Sequence, residues 1–137
     1  MPVSVQTRRG HIRRAPLNIV FTDPQMAMAG ASHGELTSSG AAFAWGEASF
    51  AEQGRARVMG RNQGVIRVYG DRADGRIRGA ELFGPDVEHL AHLLAWSIQR
   101  GDTVSDALAC PFYHPVLEEG LRTALQGLAR ALRDQSD

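Results

Sequence analysis

Gly64-Val-Ile-Arg-Val-Tyr-Gly70 and Arg76-Ile-Arg-Gly-Ala-Glu-Leu-Phe83, joined by Asp71-Arg-Ala-Asp-Gly75, decide how this chain folds. Both runs are rich in β-branched and aromatic residues, and the connection is built from turn formers. Together they predict an antiparallel hairpin. At Gly84-Pro85-Asp86 the apolar spacing switches from alternation to a helical period. Val87, Leu90, Ala91, Leu94 and Ile98 then make one helical stripe, and Leu93 and Trp96 add a second apolar flank. A helix apolar on two sides is expected to be covered by its own sheet and by something else. Gly101 ends it.

Toward the N-terminus, Leu17 to Phe21 reads as a short strand that stops at the turn signal Thr22-Asp23-Pro24. Met26 to Ala31 reads as a second strand, and Ala41 to Phe50 as a third. In the third, Phe43 and Trp45 share one face, with alanines and Phe50 on the other. The Ser- and Gly-rich stretch Ser32 to Gly40 reads as loop. Ala51 to Asn62 is ambiguous, with a helical turn available around Arg55 to Met59. Toward the C-terminus, Thr103 is the expected N-cap of a short helix ending near Ala109. Leu117, Leu121, Ala124, Leu125, Leu128 and Leu132 stripe a final helix. Strands come first and helices after, which implies an α+β domain: an antiparallel β-sheet followed by three helices packed on it. Residues 1–16 lack apolar periodicity and read as linker or tail, 17–134 as the domain and 135–137 as a tail.

Bulk properties narrow the function. The 137 residues are 43% hydrophobic and 22% charged, the profile of one folded domain rather than a disordered chain. Net charge is zero, so no global field recruits nucleic acid or an anionic membrane, and no apolar run is long enough to span a bilayer. The single Cys110 excludes an internal disulfide and any multi-thiolate metal site, and it suits a reducing, cytoplasmic compartment. Arg8, Arg9, Arg13 and Arg14, with no acid before Asp23, read as a basic linker in preference to a transit peptide.

The chemistry concentrates in Cys110-Pro-Phe-Tyr-His-Pro-Val-Leu-Glu-Glu-Gly120. Pro115 is expected as the first helical residue, where its missing N–H costs nothing. Glu118 and Glu119 fall where a helix N-terminus favours negative charge. Glu119 is placed to turn back to His114, fix its tautomer and stabilise its protonated form. That is a base with an orienter but no evident nucleophile; residue types alone leave open a plain loop histidine. His89 and His92 have a ligand-like spacing, but no further ligands of recognisable spacing accompany them, so no metal site is expected. Cys110 is expected to be a small buried hydrophobe. No Gly-x-Gly-x-x-Gly or Walker loop occurs, so the chain shows no means of holding a nucleotide on its own.

The segment Phe112-Tyr-His-Pro-Val-Leu-Glu-Glu-Gly-Leu121 resembles the His-Pro-x-x-x-Glu segment near the C-terminus of the FAD-dependent pyridine-nucleotide disulfide oxidoreductases, most of all their dihydrolipoamide dehydrogenase branch. Val20-Phe-Thr-Asp-Pro-Gln-Met-Ala-Met-Ala-Gly30 resembles that family's entry into its C-terminal domain, with Gln25 where Glu is usual. Gly79-Ala-Glu-Leu-Phe-Gly-Pro85 resembles its strand-to-helix passage, and Arg55-Ala56 matches a common Arg-Ala pair. The resemblance runs over roughly residues 17–132 in the family's order. It departs at Ser32–Gly40, where the family often has a longer acidic helix.

What the resemblance implies is a dimerisation domain without its FAD and NAD domains, and so no cofactor bound to this chain alone. His114 would be the acid/base and Glu119 its orienter. Across a homodimer, His114 and Pro115 would lie close to the partner's FAD and redox disulfide, with dihydrolipoamide or another dithiol as substrate. Self-association would use the helix around Leu93 and Trp96 and the His114 loop. A glutathione reductase-like enzyme, a stand-alone interaction module without catalysis, and, last, a zinc hydrolase built on the histidines are the alternatives.

Overall fold

The computed structural model describes residues 13–134. Of the N-terminal segment read as linker, residues 13–16 therefore lie within it, in irregular backbone, and 1–12 and the tail 135–137 lie outside the described residues. Five strands form one antiparallel sheet: β1 (Leu17–Val20), β2 (Gln25–Gly30), β3 (Phe43–Ser49), β4 (Val65–Asp71) and β5 (Ile77–Gly84), in the order β1-β2-β5-β4-β3. The hairpin of β4 and β5 lies at its centre, with Ile66 opposite Leu82 and Val68 opposite Ala80. These four side chains point to one face and are buried, while Arg67, opposite Glu81, points to the other. That alternation is the period-2 pattern of the sequence.

The buried face carries three helices, α3 (Val87–Arg100), α4 (Val104–Leu108) and α5 (Glu118–Asp134), as the strands-then-helices order predicts. Helix α3 lies over β2 and β5, and α5 over β3 and β4. Val87, Leu90, Ala91 and Leu94 of α3 and Leu121, Ala124, Leu125 and Leu128 of α5 join Ile66, Val68, Ala80 and Leu82 in one core. Helix α3 stops at Gly101, whose φ of 75° is the left-handed value that glycine tolerates best. Thr103 caps α4, accepting from the Asp106 amide, while Asp106 returns a bond to the Thr103 amide.

Helix α5 contains Gly127 in its interior, where a Cβ would meet only ordinary contacts, the nearest at 3.6 Å from Gly46 Cα. Gly127→Ala is therefore expected to raise stability by about 0.5–1 kcal/mol through helix propensity. Chemical denaturation reads this as a higher midpoint at unchanged slope.

One stretch differs from its sequence reading, and one that the sequence leaves ambiguous takes a definite form. Ser32–Gly40 contains a helix, α1 (His33–Ser38), started by a full capping box between Ser32 and Glu35 and anchored by buried Leu36. The Ser-x-x-Glu spacing was the available signal; the surrounding Ser and Gly outweighed it. Ala51–Asn62 resolves into a single 3-10 turn at Phe50–Glu52 and a short helix, α2 (Gly54–Val58). Helix α1 partly shields the outer sheet face. There Tyr69 donates to Glu81 at 2.6 Å and the His33 amide donates to the same oxygen at 2.8 Å. Burial works against it, but those two donors hold the Glu81 carboxyl below the usual carboxylate range.

Candidate functional site

The His114 loop joins α4 to α5 and stands at the edge of the helical layer. Helix α5 begins at Glu118, so Pro115 is not its first residue, contrary to the sequence expectation. The reason lies in where the backbone groups go. The Val116 N–H is taken by the Glu119 side chain at 3.1 Å, and the carbonyls of Pro115 and Val116 accept from side chains of Arg55 and Gln53. Helical bonding starts only with the amides of Glu119 and Gly120, which reach Val116 and Leu117. The His114-Pro115 peptide is cis. Glu118 and Glu119 occupy the first turn, where the unpaired amides and the helix dipole favour carboxylates.

Glu119 turns back to His114. Both of its oxygens lie 2.9 Å from His114 Nδ1. An ionised carboxylate can only accept, so Nδ1 carries the proton in this contact and the neutral ring leaves Nε2 as its basic atom. The His114 side chain is 80% exposed and that of Glu119 only 17%, so the ring projects outward from a sheltered orienter. Arg122 reaches the other carboxylate oxygen at 3.3 Å and lays its guanidinium over the Phe112 ring, 5.3 Å from the centroid. The His114 hydrogen bond first, then the Val116 amide, then the charges of His114 and Arg122 hold the Glu119 carboxyl below the usual carboxylate range. Its stabilising contribution is complete above the ordinary carboxylate pKa and is lost as pH falls through the lowered one.

The remaining candidates sort differently. His89 is exposed and His92 half-buried, its Nδ1 2.7 Å from the Glu88 carbonyl and its ring edge-on to Trp96. Neither joins His114, and among the described residues no three His, Cys, Asp or Glu side chains gather as a metal site. Cys110 is exposed rather than buried, because it sits past the end of α4 where no core stripe continues. Leu93 and Trp96, the second flank of α3, are 41% and 57% exposed and border a groove of about 210 Å³ shared with Cys110, Phe112 and Leu121. Two residues that sequence reasoning passed over hold the loop: Gln53, and Arg55 beyond its place in an Arg-Ala pair.

The comparisons with known proteins concern the domain as a whole. The model of the pyridine nucleotide-disulphide oxidoreductase dimerisation domain matches residues 17–125. The chain belongs to this family. It is 31% identical over 107 residues to the dihydrolipoyl dehydrogenase of Haloferax volcanii, covering 78% of this chain and 22% of that protein. With the mitochondrial dihydrolipoyl dehydrogenase of Rattus norvegicus it shares 28% over 107 residues, 78% of this chain and 21% of the relative. Among solved structures, the HOCl-induced flavoprotein disulfide reductase RclA from Escherichia coli superposes with a TM-score of 0.79 at 25% identity, over 83% of this chain and 26% of that one. The chain thus spans about a fifth of the length of the curated relatives it matches. As a dimerisation domain of the pyridine nucleotide-disulphide oxidoreductases it has the α+β architecture read from its sequence, and its likeness to dihydrolipoyl dehydrogenases agrees with the branch that the His114 segment resembles. No helix of the described residues is long and apolar enough to cross a membrane.

Proposed function

We propose that this chain is the dimerisation domain of a dihydrolipoamide dehydrogenase-type flavoenzyme and supplies half of each active site. In a homodimer, His114 of one subunit stands beside the redox disulfide and flavin of the other, and Glu119 orients it. The observation that carries the reading is the His114–Glu119 pair itself: Nδ1 is held at 2.9 Å by both carboxylate oxygens, and the ring is left exposed with Nε2 free. An exposed base held by a sheltered orienter fits a group that works on a reactant brought from outside this domain.

The chemistry assigned to this chain is a proton transfer. A substrate thiol gives its proton to His114 Nε2, and the resulting thiolate attacks the disulfide, forming one S–S bond as it breaks the other. His114 holds that proton as an imidazolium stabilised by Glu119, and returns it to a thiolate in the reverse direction. FAD, with NAD, supplies the two-electron redox chemistry when bound by the rest of the enzyme. The residues here fit only the role of a covering edge: His114 and Pro115 form an exposed loop, and the sequence has no dinucleotide-binding glycine motif. The subunit contact is assigned to Leu93, Trp96 and the groove beside them, large apolar side chains that a single copy leaves half open. A cytoplasmic setting, where thiols stay reduced, belongs to the same proposal.

Long-range ¹H–¹⁵N NMR of His114 tests the pair directly. At neutral pH the ring nitrogens should show the Nδ1–H tautomer in the wild-type chain and a mixture in Glu119→Leu. A wild-type ring in the Nε2–H form would sink the assignment of Glu119 as orienter.

A further inference from the structure

The His114 loop is held from its other side by α2. Gln53, the residue before that helix, divides its amide between two tasks. Its Oε1 accepts from the Ala56 amide at 2.8 Å and caps α2, while its Nε2 donates to the Val116 carbonyl at 2.7 Å. Arg55 donates from Nε to the Pro115 carbonyl at 2.9 Å. Glu119 takes the Val116 N–H. Proline has no N–H, so every polar backbone group of Pro115 and Val116 is occupied by a side chain. A helix of five residues has little stability of its own; here it is a platform that brings a capping amide and a guanidinium to two consecutive carbonyls.

We infer that Gln53 and Arg55 are positioning residues for His114, clamping the Pro115–Val116 backbone so that the imidazole keeps its bond to Glu119. This rests on the reading of His114 as the acid/base. The physical need is plain: an exposed histidine on an irregular loop has many rotamers to lose, and catalytic groups must be held to within about 0.5 Å. The Glu119 carboxylate fixes the ring only if the backbone at Val116, which it also bonds, stays in place.

The two tasks of Gln53 can be separated. Gln53→Glu keeps an acceptor for the Ala56 amide, favourable at a helix N-terminus, and removes the donor to Val116. Arg55→Ala removes the other contact. Arg57→Ala serves as control, since Arg57 lies on the same helix and its only ion pair among the described residues is an exposed one to Glu52 at 3.9 Å. In the ¹⁵N-labelled chain, the wild-type and control amides of Val116 and Glu119 are expected at order parameters of about 0.85, and the Gln53→Glu/Arg55→Ala chain below about 0.6. In that double variant the His114 ring should pass from the Nδ1–H form to a tautomer mixture, while the α2 amides stay ordered. A folded double variant with unchanged loop order and tautomer overturns the clamp. If the double variant does not fold, Gln53→Glu alone decides by the same two readouts. A wild-type ring lacking the Nδ1–H form would instead count against the acid/base reading, and the order parameters would still judge the clamp.

Discussion

In the flavoenzyme proposed for this domain, His114→Ala is expected to lower dithiol turnover by about a hundredfold or more, the scale of a lost general acid–base, with FAD still bound. The size follows from what the residue does. A thiol is a poor nucleophile and the thiolate a good one, so removing the group that takes the thiol proton slows exchange in proportion to the lost thiolate. FAD binding is expected to survive because the ring lies on an exposed loop and contributes nothing to the core. Steady-state turnover together with the flavin absorbance of the purified variant checks both halves. Turnover near wild type would remove His114 from the mechanism; loss of flavin would make the residue structural instead.

The second large effect concerns the fold that carries the loop. Gly46→Ala in β3 is expected to destabilise the domain by about 3 kcal/mol or more, at the severe end for overpacking. A Cβ at Gly46 would come within 2.0 Å of the Ala124 carbonyl oxygen and 2.2 Å of the Leu128 amide nitrogen. Those are backbone atoms of α5, which cannot swing aside as a side chain can. The helix would have to lift off the sheet along the row where Leu121, Ala124, Leu125 and Leu128 bury their side chains. Because α5 also carries Glu119 in its first turn, the variant should loosen the His114 loop too. Denaturant unfolding measures the stability loss. A midpoint within experimental error of wild type would mean that the strand and helix are not in backbone contact.

The hairpin, the long helix after Gly84-Pro85 and the final helix were legible because each buries one face, and burial writes a period into the sequence. Val68 opposite Ala80, and Leu90 with Leu94, are products of that constraint. Helix α1 was not legible by the same route: it buries only Leu36, and its evidence is a capping box rather than a stripe. The His114–Glu119 contact was readable from spacing, because a carboxylate in the first helical turn can reach back to the loop that precedes the helix. The start of α5 was misplaced for a physical reason. Proline at the first position is a local preference, and here Arg55, 60 residues away in sequence, captures the Pro115 carbonyl that a helix beginning there would use, while Gln53 shares the Val116 carbonyl with the Glu119 amide. Long-range side-chain bonds of that kind leave no local pattern. Cys110 is exposed, against its expected burial, because it lies past the end of α4, outside any apolar stripe, and the general tendency of free cysteines to be buried carries no positional information.

Whether His114 acts across the subunit boundary is decided by a purified heterodimer. One subunit carries His114→Ala; the other keeps His114 but has serines in place of its redox cysteines. Both parent homodimers should be inactive. If the histidine serves the partner's disulfide, the heterodimer pairs one intact disulfide with one intact histidine and recovers half of the wild-type turnover per dimer. A heterodimer as inactive as its parents would show that His114 serves its own subunit or none.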